Sequence, residues 1–363
     1  MAVLMIVKEG SIKLKVKETK KISKQMGVFY NPAMSMNRDI SILLLNSINK
    51  LNLQIADPLA ASGVRSIRFL KELGKNKIKN ISINDINKNA IKSIRQNLAL
   101  NKIQYKNNKL IAISNKDANL FLLETKGLDY IDIDPFGSPN FLLNSAIARL
   151  ARGGILAVTA TDTSALCGTF PNACIRKYWA MPKKNYLMHE TGLRILIRKA
   201  QLVAAQYGKA LTPVFSYSRE HYMRVFFRND NGKNKTDKIL SLHGMFHGTG
   251  PMWLGSLWDG QLCDKMCNNS IKSKTLNKNK ELVKFLKTIR GESRVNAAGF
   301  YDLSIIAEKN RIRELPKINI LREKIRKFGY RASQTHFSGN GIRSCIPANE
   351  LVNLLKKQIN LNR

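Results

Sequence analysis

Acidic residues are scarce in this chain of 363 residues: 25 Asp and Glu stand against 61 Lys and Arg, giving a formal net charge of +36. An excess of that size, spread over the whole length, repels itself and attracts polyanions, which favours nucleic acid as a partner. The bland alternative is a compositional bias toward Lys, Asn and Ile. Long apolar runs are missing too. None approaches the roughly 18 residues that span a bilayer, and the start MAVLMIVKEGSIKLKVKE is charged too early for a secretory segment, so a cytoplasmic protein with no membrane partner is expected. Cysteine is sparse and odd in number: Cys167, Cys174, Cys263, Cys267 and Cys345. With no secretory signal this argues against a disulfide framework. Cys263 and Cys267 have no second Cys or His pair at ligand spacing nearby, so no metal is expected. His189-Glu190 does not extend to H-E-x-x-H, because Leu193 stands where the second histidine would be, which excludes a zinc protease.

What is present is ample apolar content, 44%, in a length that suits two domains. From Leu53 onward, short apolar runs alternate with longer segments of three- and four-residue apolar spacing, the pattern of a parallel sheet wrapped by helices. LQIAD (53–57), NISIND (80–85), KLIAI (109–113), LDYIDID (128–134) and GGILAVTA (153–160) read as strands. A long helix around HETGLRILIRKAQLVAAQYG precedes ALTPVFSYS and YMRVFFRN, two antiparallel strands that would complete a doubly wound, seven-stranded α/β sheet. The polar run NDNGKNKTDK (229–238) has turn residues and no periodicity, and a boundary is expected there. The remainder is smaller, helix-rich and basic, with IRELPKINILREKIRKFGYRA reading as two helices separated by Pro316. No repeat is visible.

In such sheets ligands sit outside the carboxyl ends of the strands. Asp57 ends the first strand and leads into PLAASGVRS, where a dinucleotide site would need G-x-G-x-x-G; only Gly63 is present. Asp85 closes the second strand 22 residues past Gly63, near the distance at which a carboxylate accepts ribose hydroxyls. Asp117 opens the helix after the third strand, either as a plain N-cap or as a cofactor contact. The fourth strand ends in Asp134-Pro135-Phe136-Gly137, which joins a carboxylate, a carbonyl and an aromatic face. An exocyclic base amine is a poor nucleophile because its lone pair is delocalised into the ring. Two acceptors on its N–H groups, here Asp134 and the Pro135 carbonyl, favour a pyramidal nitrogen, and Phe136 can stack the base. D-P-F-G also fits an ordinary turn. Its place after the fourth strand, downstream of Asp57 and Asp85, favours chemistry.

The chain resembles the tRNA guanine-26 N2-dimethyltransferase family over nearly its whole length. The motifs are VFYNPAMSMNRDIS (28–41), DPLAASGVRSIRF (57–69), INDINKNAI (83–91), IDIDPFGSP (131–139), TATDTSALCG (159–168), HETGLRILI (189–197), GPMWLGSLWD (250–259) and GYRASQTHFS (329–338). The resemblance implies a class I methyltransferase domain binding S-adenosylmethionine, with Asp134 receiving the guanine amine protons. It implies that Arg38 and Arg65 hold the cofactor, that Asp85 binds its ribose, and that Asp117 and Ala118 lie beside the adenine. One departure stands out: SREHYMRVFFRNDNGKNKTDKILSLHG (218–244) lacks the four cysteines that many relatives use for zinc.

On this basis residues 1–232 are expected to form the methyltransferase domain with an N-terminal substrate- and cofactor-binding extension, and 233–363 a basic tRNA-binding domain. Arg290, Arg294, Arg311, Arg313, Arg322, Lys324, Arg326, Lys327, Tyr330, Arg331 and Arg343 form the expected phosphate-contacting set, effective as a group. His336 reads as a surface histidine without a role, and Trp253 and Trp258 as packing. No obligatory protein partner is inferred. The competing readings are methylation of another guanine or adenine amine in RNA or DNA, and a tRNA-binding module without catalysis.

Overall fold

A computed structural model describes residues 4–17, 28–273 and 275–359; the ends of both expected domain ranges, 1–3 and 360–363, lie outside the described residues. A hairpin opens it, β1 (Leu4–Glu9) and β2 (Ile12–Lys17). In β2 alternate residues Ile12, Leu14 and Val16 are buried while Lys13 and Lys15 face out, the period of a strand covering a core with one face. Then α1 (Ser35–Ser47) is buried almost throughout, charged Arg38 and Asp39 included.

The sheet follows the alternation seen in the sequence: β3 (Leu53–Asp57), α2 (Val64–Glu72), β4 (Ile78–Asn84), α3 (Lys88–Leu100), β5 (Ile111–Ser114), α4 (Ala118–Glu124), β6 (Leu128–Ile133), α5 (Asn140–Arg149) and β7 (Leu150–Ala160). After α6 (Thr163–Leu166), α7 (Pro171–Tyr178) and the long α8 (Met188–Ala205) come β8 (Lys209–Arg219) and β9 (Tyr222–Asn231). The seven strands lie in the order β5-β4-β3-β6-β7-β9-β8. The first five are parallel, and β9 runs antiparallel to both neighbours. This is the doubly wound sheet expected. Every residue of β6 is buried, as a middle strand covered on both faces requires. Strand order reverses between β3 and β6, and that switch point opens a crevice at their carboxyl ends.

The polar run 229–238 is not a simple turn. Its first residues finish β9, and α9 (Lys233–Leu240) begins directly after Gly232. Thr236 is the single buried residue of that helix, so the sequence shows no apolar period there. The hairpin β10 (His243–Phe246) and β11 (Thr249–Trp253) and the helices α10 (Gly260–Lys272) and α11 (Lys280–Glu292) share the hydrophobic core of the sheet, through Trp253, Met266 and Ile289. A second core runs from Leu303 to Leu355. It holds β12 (Tyr301–Asp302), α12 (Leu303–Lys309), α13 (Ile318–Lys327), β13 (Ala332–Gln334), β14 (Gly341–Ser344) and α14 (Ala348–Ile359), with its strands ordered β12-β14-β13. The helix expected before Pro316 ends earlier than the sequence suggested. Arg311 takes a left-handed φ of 55°, which stops α12, and proline disfavours helix in the residue before it, so residues 312–317 form no helix.

Candidate active site

Three strand ends meet at the crevice. Asp57, the last residue of β3, is buried and accepts the Ser66 hydroxyl at 2.7 Å. Burial raises its carboxyl to about 7, against the opposing pull of Arg65 and Ser66. The loop after it turns into α2 through Gly63 at φ 77°, where a Cβ would lie 3.1 Å from Ile94 on α3. Glycine there allows both the backbone conformation and the close approach of the two helices. Asp85, just past β4, accepts the Ala61 N–H of that loop at 2.8 Å and the Asn87 N–H at 2.8 Å. It thereby pins the first loop to the second. Asp117 caps α4, accepting the N–H groups of Asn119 and Leu120 at 2.9 and 3.2 Å, and Ala118 is buried in the first turn.

Asp134 follows the last residue of β6 and is only partly covered. Arg65 donates to its carboxylate, and a second guanidinium nitrogen lies 3.3 Å from Asp132. The Asn37 side-chain carbonyl and the Ser41 hydroxyl, both on α1, each accept from Arg65 at 3.0 Å. Beneath it, Asp132 accepts Arg224 at 2.6 and 3.0 Å and the Tyr130 hydroxyl at 2.5 Å. Burial alone would raise the Asp132 carboxyl, but Arg224 and Arg65 outweigh it and hold the group below the usual carboxylate range. The result is a buried ladder of alternating charge with Asp134 at its outer end.

The Pro135–Gly137 turn is fixed from outside. Gly137 donates to the Thr161 hydroxyl at 2.6 Å, and the Thr161 N–H returns to the Gly137 carbonyl at 3.0 Å. Pro135 is buried, whereas the Phe136 ring is 40% exposed and stands edge-on to Phe29 with ring centres 4.5 Å apart. Phe29 escaped sequence reasoning although it lies in the VFYNPAMSMNRDIS motif; an aromatic at the start of a conspicuous motif was the available signal.

Arg38 is engaged by a residue not foreseen. Its Nε and Nη2 each donate to the Glu9 carboxylate at 2.6 Å, and Glu9 also takes Arg68 at 3.1 Å and the Tyr30 hydroxyl at 3.0 Å. Burial pushes the Glu9 carboxyl up, yet the bond and charge of Arg38, helped by Arg68, leave it lowered overall. A lone acid in an otherwise basic hairpin was the signal for it.

Two expectations outside the crevice need correction. Arg343 is fully buried in β14, where Glu190 of α8 accepts it at 2.6 and 3.1 Å and Glu292 of α11 at 3.2 Å, so no phosphate can reach it. His336 is not a surface histidine: its side chain is 2% exposed, and its Nδ1 lies 2.5 Å from Glu292. Both belong to one buried cluster. Its fifth member, Arg194, donates to Glu190 at 2.9 Å and to the carbonyls of Trp253 and Gly255. The HETGLRILI and GPMWLGSLWD motifs are therefore joined by packing, and Trp253 and Trp258 are buried as expected. Arg294, Arg311, Arg313, Arg326, Lys327 and Arg331 are exposed, while Arg290, Arg322, Lys324 and Tyr330 are half-buried. All five cysteines are free, and Cys263 and Cys267 are buried in the face of α10 that packs into the core.

Among the described residues, no helix is long and apolar enough to cross a membrane. The family model described as N2,N2-dimethylguanosine tRNA methyltransferase matches residues 10–247 and 241–356. A tRNA (guanine(26)-N(2)/guanine(27)-N(2))-dimethyltransferase of Aquifex aeolicus is 37% identical over 97% of this chain and 96% of its own length. The tRNA (guanine(26)-N(2))-dimethyltransferase of Methanosphaera stadtmanae is 35% identical over 96% of each. Among solved structures, Trm1 from Pyrococcus horikoshii in complex with S-adenosyl-L-methionine superposes with a TM-score of 0.86 at 33% identity, covering 97% of this chain and 99% of that one. The fold of nearly the whole chain thus recurs in that structure. This chain belongs to the N2,N2-dimethylguanosine tRNA methyltransferase family.

Proposed function

We propose that this protein transfers methyl groups from S-adenosylmethionine to the N2 amine of guanine 26 in tRNA, twice in succession. The observation that carries the reading is Asp134, a carboxylate at the outer end of a buried charge ladder beside the exposed ring of Phe136. Relatives at 35% and 37% identity that bear this activity support the substrate.

The residues present suit the cofactor. Asn37 Nδ2 and Ser62 Oγ, flanking Arg65 and Gly63, are buried polar atoms without a protein partner among the described residues. Arg65 and Arg38 would hold the cofactor carboxylate, Arg38 through Nη1, since Glu9 takes its other two nitrogens. Asp57 and Gly63 would shape the loop around it, Asp85 would accept the ribose hydroxyls, and Asp117 with Ala118 would border the adenine. When bound, the cofactor supplies an electrophilic methyl on a sulfonium.

The rest falls to this chain's own side chains. Asp134 and the Pro135 carbonyl accept the two amine N–H bonds and turn the nitrogen lone pair toward the methyl, while Phe136 stacks the base. Transfer makes the nitrogen cationic and its proton acidic, so Asp134 removes it without needing to be a strong base. The same reading includes a cytoplasmic site of action and a division of labour, with 1–232 binding cofactor and base and 233–363 contributing the exposed arginines and lysines that meet tRNA phosphates.

The test is labelled methyl transfer to transcripts carrying guanine or adenine at position 26, with wild type and Asp134→Ala. Label in the guanine transcript alone, lost with the substitution, is the expected result. Equal labelling of both transcripts would overturn the position, and a further transcript altered at guanine 27 reports whether a neighbour is also accepted. Tight tRNA binding without transfer would mean a binding module instead.

A further inference from the structure

The segment between α6 and α8 has a composition that the catalytic reading does not use. From Thr163 to His189 there is no acidic residue, while Arg176, Lys177, Lys183 and Lys184 supply positive charge. Lys177 pairs with Asp162 at 2.9 Å; among the described residues no ion pair engages Arg176, Lys183 or Lys184, and all three are exposed. Phe170 is 60% exposed and Trp179 50%. Phe170 and Arg176, with Thr169, Pro171, Asn172 and Ala173, border a shallow cleft of about 450 Å³.

Two contacts set where this surface lies. The Asn140 side chain, just beyond the Pro135–Gly137 turn, donates to the Lys177 carbonyl at 2.7 Å, so α7 is fastened to the segment that carries Asp134 and Phe136. Gly168 then brings the two ends of the stretch together. A Cβ on it would stand 2.8 Å from the Lys184 nitrogen and 3.0 Å from the Lys183 carbonyl carbon, so the chain entering Phe170 runs against the backbone of Lys183 and Lys184. Phe170 and Arg176 thus border one cleft, the backbone of Lys183 and Lys184 runs beside the chain that enters it, and α7 is tied to the acceptor turn.

We propose that this surface is a subsite for the nucleotide next to the target guanine, with its base stacked on Phe170 and its phosphates met by Arg176, Lys183 and Lys184. The proposal rests on the tRNA reading above. A base drawn into a pocket leaves its neighbour without a stacking partner, and an exposed aromatic beside cations is the arrangement that binds single-stranded nucleic acid. A protein partner would also accept an aromatic anchor, but three unpaired cations, in a stretch whose neighbouring acid Asp162 is already taken by Lys177, complement a phosphate chain better than a mixed protein surface.

The experiment uses the full chain, with Phe170→Ala and the double variant Lys183→Ala/Lys184→Ala, on the guanine-26 transcript. Phe170→Ala is expected to raise the tRNA KM about tenfold, the loss of one stacked base. The double variant should flatten the slope of log affinity against log salt by about 1.5, two phosphate contacts. S-adenosylmethionine binding by calorimetry should stay at the wild-type value in both, which separates a local effect from misfolding. Wild-type KM and slope in both variants would overturn the subsite and leave the face to a protein partner. Should wild type label no guanine, the function reading fails, and the salt slope on bound tRNA still decides the subsite.

Discussion

Arg65 donates to the carboxylate of Asp134, while Asn37, Ser41 and Asp132 fix the same guanidinium from behind. One side chain thus stands between the proposed cofactor carboxylate and the proposed acceptor of the guanine amine. Lysine offers one point charge where arginine offers a fork. Arg65→Lys should weaken S-adenosylmethionine binding about tenfold or more and lower kcat as well. Asp134→Asn should keep cofactor affinity within about threefold and lower kcat by on the order of a hundredfold, a typical share for general acid–base groups. Calorimetry alongside labelled transfer separates the two, and near-normal kcat in Asp134→Asn would remove the amine-binding role.

Asp57 gives the fold a pH dependence of definite sign. Its carboxyl is raised to about 7 by burial, above the ordinary value of 3.8 that it regains on unfolding. Between those values the native state holds a proton that the unfolded chain has released, so this contribution to stability is full below about pH 4 and is lost as pH rises through about 7. The difference is on the order of 4 kcal/mol. Asp57→Asn, which can still accept the Ser66 hydroxyl, should flatten the stability profile between pH 4 and 8. Denaturant melts across that range check it; parallel profiles for wild type and variant would show that Asp57 ionises freely in the fold.

Arg343 pairs with Glu190 and Glu292 at once, with all three side chains at 0 or 1% exposure. Burial raises the Glu190 carboxyl, but Arg343 and Arg194 outweigh it and bring it down to about 2. That contribution is present above the ordinary value of 4.5 and is lost as pH falls toward 2. Arg343→Met should destabilise by about 3–5 kcal/mol at pH 7, because two buried carboxylates lose a partner. Adding Glu190→Gln should recover part of the loss, since one stranded charge is then removed. A single variant as stable as wild type would mean the cluster is solvated on demand.

The sheet was legible because its strands end in acids and its helices keep their apolar spacing; Asp57, Asp85 and Asp134 were found by asking where each apolar run stops. What the sequence concealed depends on pairing across distance. Glu9 sits 29 residues from Arg38, in a hairpin that composition marks only as basic. Arg343 and His336 look like surface residues in a basic domain, and their burial follows from carboxylates on α8 and α11 that no local pattern connects to them. α9 falls in the polar stretch where only a boundary is expected, because a helix with one buried residue carries no period.

The Glu190–Arg343 pair also bears on how such a protein can change over generations. Glu190 is encoded with the helix that supports the sheet, and Arg343 with the second core, 153 residues later. A recombination event that joined either segment to a foreign neighbour would strand an ion in the interior of the product. Each segment thus carries a buried charge that the other must match. A transplanted version of either one would need a compensating substitution on the same gene before it could fold.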